Sequence, residues 1–471
     1  MEITVLSNNQ KFSIPFNQGD KIYSVLVRGG FRIDAPCGGK GRCNKCLVEA
    51  DGEMVYACKT LAHNGMVVRL FDEGNLQVLT DTTPVSVTPQ GEGYGVAVDM
   101  GTTTVAAQLY DLETGEVKGT YARANNQKSY GSDVISRSEH SEDVHPIAIK
   151  QLNEILDYFG VKVDKLYIAG NTIMQHFTLG LDARPITVAP FTPATTALEV
   201  RSGAELGINA DEVKVLPCIS GYVGADIVMG ILATGIHKAE KPCILLDIGT
   251  NGEIVIGSRD GIYCCSAAAG PAFEGAGISC GMSGIDGAVK SIKIENDVIT
   301  YQTIGDKPPQ GICGSGILDV VAEFLKSGII DETGYLEDDV IICDNVTITP
   351  KDIREVQLAK AAIGAGIYTL LKKTGISLDD IDALYLAGGF GNYLDKNSAA
   401  TIGLIPDELC GKVKTVGNTS LTGCVMAMLD NSYEDEGVKI AEQAHYIELS
   451  CDGDFQSEYI EQMMFQKGSN E

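Results

Sequence analysis

Val96-Ala-Val-Asp-Met-Gly-Thr-Thr-Thr-Val105 returns, 148 residues further along a chain of 471, as Ile244-Leu-Leu-Asp-Ile-Gly-Thr-Asn-Gly-Glu-Ile254. In each copy an apolar strand runs into an Asp, turns at a glycine, passes small polar side chains and enters a second strand. A repeat of this kind implies two similar lobes. Small residues at a hairpin tip let backbone N–H groups and hydroxyls press against phosphate oxygens. Two such tips facing each other, Gly101-Thr102-Thr103-Thr104 and Gly249-Thr250-Asn251-Gly252-Glu253, would clamp the phosphates of a nucleotide. Asp99 and Asp247, one at each strand end, can hold Mg²⁺ through water. A third stretch, Ala383-Leu-Tyr-Leu-Ala-Gly-Gly-Phe-Gly391, reads as a strand ending in a glycine turn. Its Gly388, Gly389, Phe390 and Gly391 would let the backbone approach an adenosine. One D-x-G-T alone is an ordinary turn, but two copies followed by the glycine turn point to nucleotide binding. No GxxxxGK[ST] loop is present, so the site is not of the Walker type.

Outward from this repeat, the N-terminal segment carries different chemistry. Ala35-Pro-Cys-Gly-Gly-Lys-Gly-Arg-Cys-Asn-Lys-Cys-Leu47 gives the spacing C-x5-C-x2-C, and Cys58 follows after eleven residues. Four thiolates, Cys37, Cys43, Cys46 and Cys58, suffice for a [2Fe–2S] cluster. Gly38, Gly39 and Gly41 let the loop curl and point N–H groups at the sulfides. Asp51-Gly52 predicts a two-residue hairpin turn between Leu47–Ala50 and Glu53–Ala57, which returns the chain to Cys58. Zinc is the competing reading, but only one C-x2-C pair exists and the first gap is glycine-rich. The other ten of the 14 cysteines are scattered and read as buried and reduced.

The length suggests about three units. Residues 1–82 read as the [2Fe–2S] ferredoxin domain, 83–93 as a linker, 94–238 as lobe I and 239–471 as lobe II with a C-terminal return. The expected fold is an α+β ferredoxin (β-grasp) domain followed by a two-lobed α/β actin-like ATPase fold. The Pro-, Thr- and Gly-rich stretch Asp81–Gly95 carries the linker. A net charge of −27 disfavours nucleic acid and anionic membrane as partners. It also means that any phosphate must be held by backbone, helix termini and metal. No apolar run approaches the ~20 residues of a membrane span. The N-terminus alternates like a strand and does not read as a signal peptide, so a cytoplasmic protein is expected.

The order of the two phosphate hairpins and the glycine turn resembles the acetate and sugar kinase, heat-shock chaperone and actin superfamily. With the N-terminal cysteine loop, the chain resembles the ATP-dependent reductive activators of corrinoid proteins. Asn126–Arg137, Ala169–Met174, Pro217–Asp226, Ala267–Ala276 and Gly311–Gly316 carry that likeness over nearly the whole length. The resemblance implies ATP, Mg²⁺ and one [2Fe–2S] cluster as cofactors. It implies that one electron passes from a low-potential donor of ferredoxin or flavodoxin type to cob(II)alamin. The corrinoid would belong to a partner protein of a methyltransferase system. It also adds Asn171 to the nucleotide contacts. Members of the family carry an extra domain after the ferredoxin that helps them dimerise. Here the linker is about a dozen residues, which leaves a homodimer open.

Single residues sharpen the expected site. Asp226 opens an apolar helical run; it would orient an attacking water or simply favour the helix dipole. Glu253 would support Mg²⁺ or be a solvated strand residue. Glu274, in a glycine-flanked loop, could reach the nucleotide. Ser315, after Gly314 at a helix start, would cap that helix or touch a phosphate. Two other functions compete: a ferredoxin-fused small-molecule kinase, and a nucleotide-gated binding or chaperone-like protein. A kinase has no need of an electron carrier. A 2-hydroxyacyl-CoA dehydratase activator is disfavoured by the N-terminal cysteine cluster.

Overall fold

The fold is that of a computed structural model, which describes residues 1–7, 10–31, 33, 35, 39–41, 46–70, 87–131, 133–344, 346–388 and 394–465. Cys37, Cys43, Gly38, Gly389, Phe390, Gly391 and residues 83–86 of the expected linker lie outside these residues.

The N-terminal unit is a five-stranded sheet with one helix, Ile22–Arg28. Its strands are β1 (Glu2–Ser7), β2 (Gln10–Pro15), β3 (Leu47–Ala50), β4 (Glu53–Tyr56) and β5 (Val67–Arg69), in the order β2-β1-β5-β3-β4. β1 and β5 run parallel and the other pairs antiparallel, which is the β-grasp arrangement. Alternation along β1 drives Ile3 and Val5 into a core with Ile22, Val25, Leu26, Val48 and Val68. The turn between β3 and β4 is the one the sequence predicts. Asp51 and Gly52 both have positive φ (51° and 88°), the signature of a type I′ hairpin.

Lobe I contains β6 (Tyr94–Met100), β7 (Thr104–Asp111), β8 (Val117–Ala124), β9 (Val163–Gly170), β10 (Glu199–Ser202) and β11 (Ala210–Val215). They form one sheet, ordered β10-β11-β9-β6-β7-β8. Lobe II contains β12 (Cys243–Ile248), β13 (Gly252–Ser258) and β14 (Gly261–Ala267). After them come a small sheet of β15 (Ala288–Glu295), β16 (Val298–Thr303) and β17 (Gly311–Ile312), and a hairpin of β18 (Val340–Cys343) and β19 (Val346–Ile348). β20 (Ala383–Ala387), β21 (Val413–Thr415) and β22 (His445–Tyr446) complete the main sheet, ordered β21-β20-β12-β13-β14-β22. Five strands of one lobe therefore match five of the other, β11-β9-β6-β7-β8 against β21-β20-β12-β13-β14, with the same directions. The central strands are buried on both faces, which is why Val96–Met100 and Cys243–Ile248 read as nearly unbroken apolar runs.

Between the lobes lie two apolar helices, Ala225–Thr234 and Thr419–Leu429. Their side chains join Ala97 and Tyr167 of lobe I and Leu245 and Val255 of lobe II in one core. They cross closely because small residues face the contact. A Cβ at Gly423 would lie 2.1 Å from the carbonyl oxygen of Met229. Gly423→Val is expected to cost about 1–3 kcal/mol or more of unfolding free energy by overpacking, read from the urea midpoint.

Candidate functional site

The carboxyl ends of β6 and β12 face each other across a cavity of about 1510 Å³ between the lobes. Asp99 is the next-to-last residue of β6 and Asp247 of β12, so each carboxylate leaves its strand at the cavity floor. The crevice outside the carboxyl ends of parallel strands is where α/β sheets hold ligands. Gly101, Thr102, Thr103, Thr104, Asn171, Asp226, Gly249, Thr250, Asn251, Glu253, Glu274, Gly314, Ser315 and Gly388 line the same cavity. Gly252 does not. It is buried against the helix Pro350–Thr374, where a Cβ would lie 2.8 Å from Ile363.

Specific bonds fix these groups. Thr103 and Thr250, one from each hairpin tip, both donate their hydroxyls to Glu274, at 3.3 and 3.0 Å. Glu274 therefore bridges the two loops. Asn171 accepts from Met174 N at 3.0 Å, capping the helix Thr172–Leu179, and donates Nδ2 to Thr102 Oγ1 at 3.0 Å. Gly388 has a φ of 83°, and a Cβ there would sit 2.3 Å from Asp247 Oδ1. Glycine is required at that place for both reasons. Ser315 lies in the first turn of the helix Gly314–Ser327 and is buried. Asp226 lies in the first turn of Ala225–Thr234, with Oδ1 accepting from Ile227 N at 2.9 Å.

The electrostatics of this floor are unfavourable to charge. Burial raises the Asp226 carboxyl to about 7, helped by the negative charges of Asp247 and Asp99. Burial likewise raises Asp247 to about 7, with Asp99 and Glu274 adding to it. Glu253 is pushed well above the usual carboxylate range by burial, Asp226 and Asp247. Asp99 is also raised by burial, against two hydrogen bonds that favour its charge. Those bonds come from Ser420 Oγ, 2.7 Å from Oδ1, and Asn418 Nδ2, 2.8 Å from Oδ2.

Asn418 and Ser420 are absent from the sequence-derived site, and a second repeat marks them. Gly170-Asn171-Thr172 and Gly417-Asn418-Thr419 both end a loop and cap a helix through their Asn. Beyond the floor the cavity widens. Phe191 and Tyr222 pair edge to face at 5.3 Å on one side, and Lys290, Lys293, Asp319 and Lys326 line the other.

Among the described residues, no three acidic, thiol or imidazole groups lie close enough to enclose a metal ion by themselves. Mg²⁺ does not need such a cage. It keeps several waters and is held by one or two carboxylates plus substrate phosphates. Neighbouring, poorly hydrated carboxylates that resist ionisation together are a donor set of that chemistry.

In the N-terminal unit, Cys46 and Cys58 are both buried and lie on either side of the β3–β4 hairpin. The Cys58 amide donates to Cys46 Sγ at 3.4 Å. An N–H aimed at a thiolate sulfur is the hydrogen bonding that a [2Fe–2S] site uses, so this half of the ligand set fits the cluster.

Residues 1–72 match the family model of a 2Fe-2S iron-sulfur cluster binding domain. Residues 94–239 match the RACo middle region, and 241–471 the C-terminal domain of RACo, the ASKHA domain. The corrinoid activation enzyme RamQ of Eubacterium limosum is 30% identical over 580 residues, covering 96% of this chain and 97% of that protein. A reductase of the Co(II) methylated amine-specific corrinoid protein, from Methanosarcina barkeri, is 28% identical and covers 78% of this chain and 76% of its own. The solved structure of a reductive activator for a corrinoid, iron-sulfur protein superposes with a TM-score of 0.73 at 28% identity, covering 98% of both chains. With a ferredoxin fold, an actin-like ATPase fold and an end-to-end relationship to these proteins, the chain belongs to the family of reductive activators of corrinoid proteins.

Proposed function

We propose that this protein uses ATP to drive single electrons through a [2Fe–2S] cluster onto the cob(II)alamin of a partner corrinoid protein, giving cob(I)alamin for a methyltransferase system. The observation that carries the reading is the joining in one chain of a β-grasp domain bearing Cys46 and Cys58 to two lobes whose Asp99 and Asp247 converge. We take the units to be 1–82 for the ferredoxin domain, 83–93 for the linker, 94–238 for lobe I and 239–471 for lobe II. The electron donor is a low-potential ferredoxin or flavodoxin, the compartment is the cytoplasm, and the molecule works as a monomer or homodimer. When bound, the cluster supplies a one-electron store, and Cys37, Cys43, Cys46 and Cys58 are its ligands.

In the cleft, the hairpin tips Gly101–Thr104 and Gly249–Glu253 cradle the phosphates. Asn171, Gly314, Ser315 and the 388–391 turn receive the rest of the nucleotide. Asp99 and Asp247 would hold Mg²⁺ through water, and its charge would relieve the repulsion between them. Glu274 leaves the Thr103 and Thr250 hydroxyls when phosphate oxygens replace it. Asp226, with a carboxyl near 7, suits the proton acceptor for the attacking water. The energy scale is adequate. Shifting a two-state population from 1:99 to 99:1 takes about 5.5 kcal/mol, or about 240 mV for one electron.

Two outcomes test this. Anaerobic mixing of protein, Ti(III), ATP and a cob(II) corrinoid protein is expected to give the cob(I) absorbance. The signal should be absent without ATP or in Cys46→Ser. Asp226→Asn is expected to lower ATP turnover about 10²–10⁴-fold, the usual range for a proton acceptor. Cob(I) formation at an unchanged rate without ATP would overturn the proposal.

A stability signature accompanies the Mg²⁺ reading. Asp226 and Asp247 have folded-state values raised from 3.8 to about 7. Their contribution to stability is therefore full below about pH 4 and is lost as pH rises through 7. At pH 8, without nucleotide, Asp247→Asn is expected to raise the unfolding free energy by about 1–3 kcal/mol. The gain should vanish near pH 4, and the variant should no longer be stabilised by Mg-ATP. Urea titrations at the two pH values read all three.

A further inference from the structure

The ferredoxin unit is seated on lobe I, and one side chain makes the central contact. The ring of Tyr23 lies against Gly39 of the cysteine loop, so closely that a Cβ there would be 2.4 Å from the ring. Its hydroxyl donates to the carbonyl of Ser129 in lobe I. Lys40, next in the same loop, lies 4.0 Å from Glu139.

Ser129 belongs to a 3₁₀ turn, Asn126–Tyr130, whose capping residue is hydrogen-bonded to the phosphate hairpin. Asn125, the residue capping this turn, donates Nδ2 to the carbonyl of Gly101 at 2.8 Å. Its backbone N–H donates to the carbonyl of Thr103 at 2.9 Å. The turn is also pinned from below, where fully buried Gln151 accepts from Asn126 N at 2.8 Å. Such a turn has little freedom to absorb a shift at one end without passing it to the other.

We infer that Tyr23 is a positioning residue that couples the cysteine loop to the first phosphate hairpin, so that nucleotide occupancy and cluster redox state influence one another. The inference rests on the [2Fe–2S] and ATP reading of the two sites, but not on the corrinoid step. Coupling of this kind is reciprocal. If ATP shifts the cluster potential, reduction must shift ATP affinity by the same factor.

The experiment uses the full chain with its cluster assembled. The midpoint potential is measured by EPR-monitored titration without nucleotide and with a non-hydrolysable ATP analogue. The affinity for that analogue is measured on oxidised and reduced protein. A fivefold or larger change in affinity is expected, matching a potential shift of about 40 mV at ~59 mV per tenfold for one electron. Tyr23→Phe keeps the ring on Gly39 and removes the hydroxyl. It is expected to retain the cluster signal and bring the coupling below twofold. Hydrogen exchange of the 126–131 amides in the unaltered protein gives a second readout. It is expected to differ between oxidised and reduced protein at saturating analogue. A native coupling below twofold, an unchanged exchange pattern, or full coupling in Tyr23→Phe would each overturn the inference. Loss of analogue binding or of the cluster signal in the native protein would instead overturn the reading of the sites themselves.

Discussion

The removal of water from four neighbouring carboxylates is the constraint on which the rest of this structure depends. Asp99, Asp226, Asp247 and Glu253 all resist ionisation because burial removes water, and negative neighbours add to this for Asp226, Asp247 and Glu253. Such an arrangement costs stability while the site holds nothing positive. It is the state expected of a site whose charge balance is completed by a cation brought in with its substrate. The acidity of the whole chain fits the same logic. With a net charge of −27, the fold supplies little positive field to hold a triphosphate. On the proposed reading, backbone N–H groups, Thr hydroxyls and Mg²⁺ do so.

The two lobes answer this constraint unequally. Their strands repeat one another, and so does the sequence beyond the hairpins. Val163-Asp-Lys-Leu-Tyr-Ile-Ala-Gly170 of β9 returns in β20 as Ile381-Asp-Ala-Leu-Tyr-Leu-Ala-Gly388. The helices Ala225–Thr234 and Thr419–Leu429 are counterparts that meet at the inter-lobe core. Yet the first turn of one carries Asp226 and that of the other Ser420. Ser420 and Asn418 donate to Asp99 and favour its charge. Asp226 is raised by burial first, with the negative charges of Asp247 and Asp99 adding to it. The near-symmetric frame thus gives Asp99 hydrogen bonds that offset part of its desolvation, while for Asp247 burial, Asp99 and Glu274 all act in the same direction. On the proposed reading, such a difference in environment is what separates metal support from proton acceptance.

How much of this could be read in the sequence depends on the distance over which each feature is decided. The hairpins, the Asp51-Gly52 turn and the places of Asp99 and Asp247 are local. Strand composition and a glycine turn determine them, and the fold follows. Gly252 was expected to contact the nucleotide because it lies in the loop motif. It turns instead to Ile363, because it already begins β13 and strand alternation decides its face. The contacts of Asp99 with Asn418 and Ser420 span more than three hundred residues. No local pattern announces them, although the two Gly-Asn-Thr triplets would have drawn attention to position 418. Glu274 could be placed near the nucleotide from its glycine-flanked loop. Its bridging of Thr103 and Thr250 required both lobes in place.

The short tether after the ferredoxin raised the question of whether that unit must stay near its own lobes. The described residues on either side are Leu70 and Val87. The intervening stretch can reach at most about 60 Å at ~3.5 Å per residue. Its length therefore does not confine the ferredoxin to lobe I. What places it there is the surface contact around Tyr23. That contact includes the pair of Lys40 and Glu139, both more than half exposed, which contributes little by itself. A weak contact is enough for an intramolecular partner, whose effective concentration is on the order of millimolar. A carrier that must take an electron at one surface and deliver it at another needs this balance. It has to dock readily, respond to the state of its own nucleotide site, and leave without a large barrier.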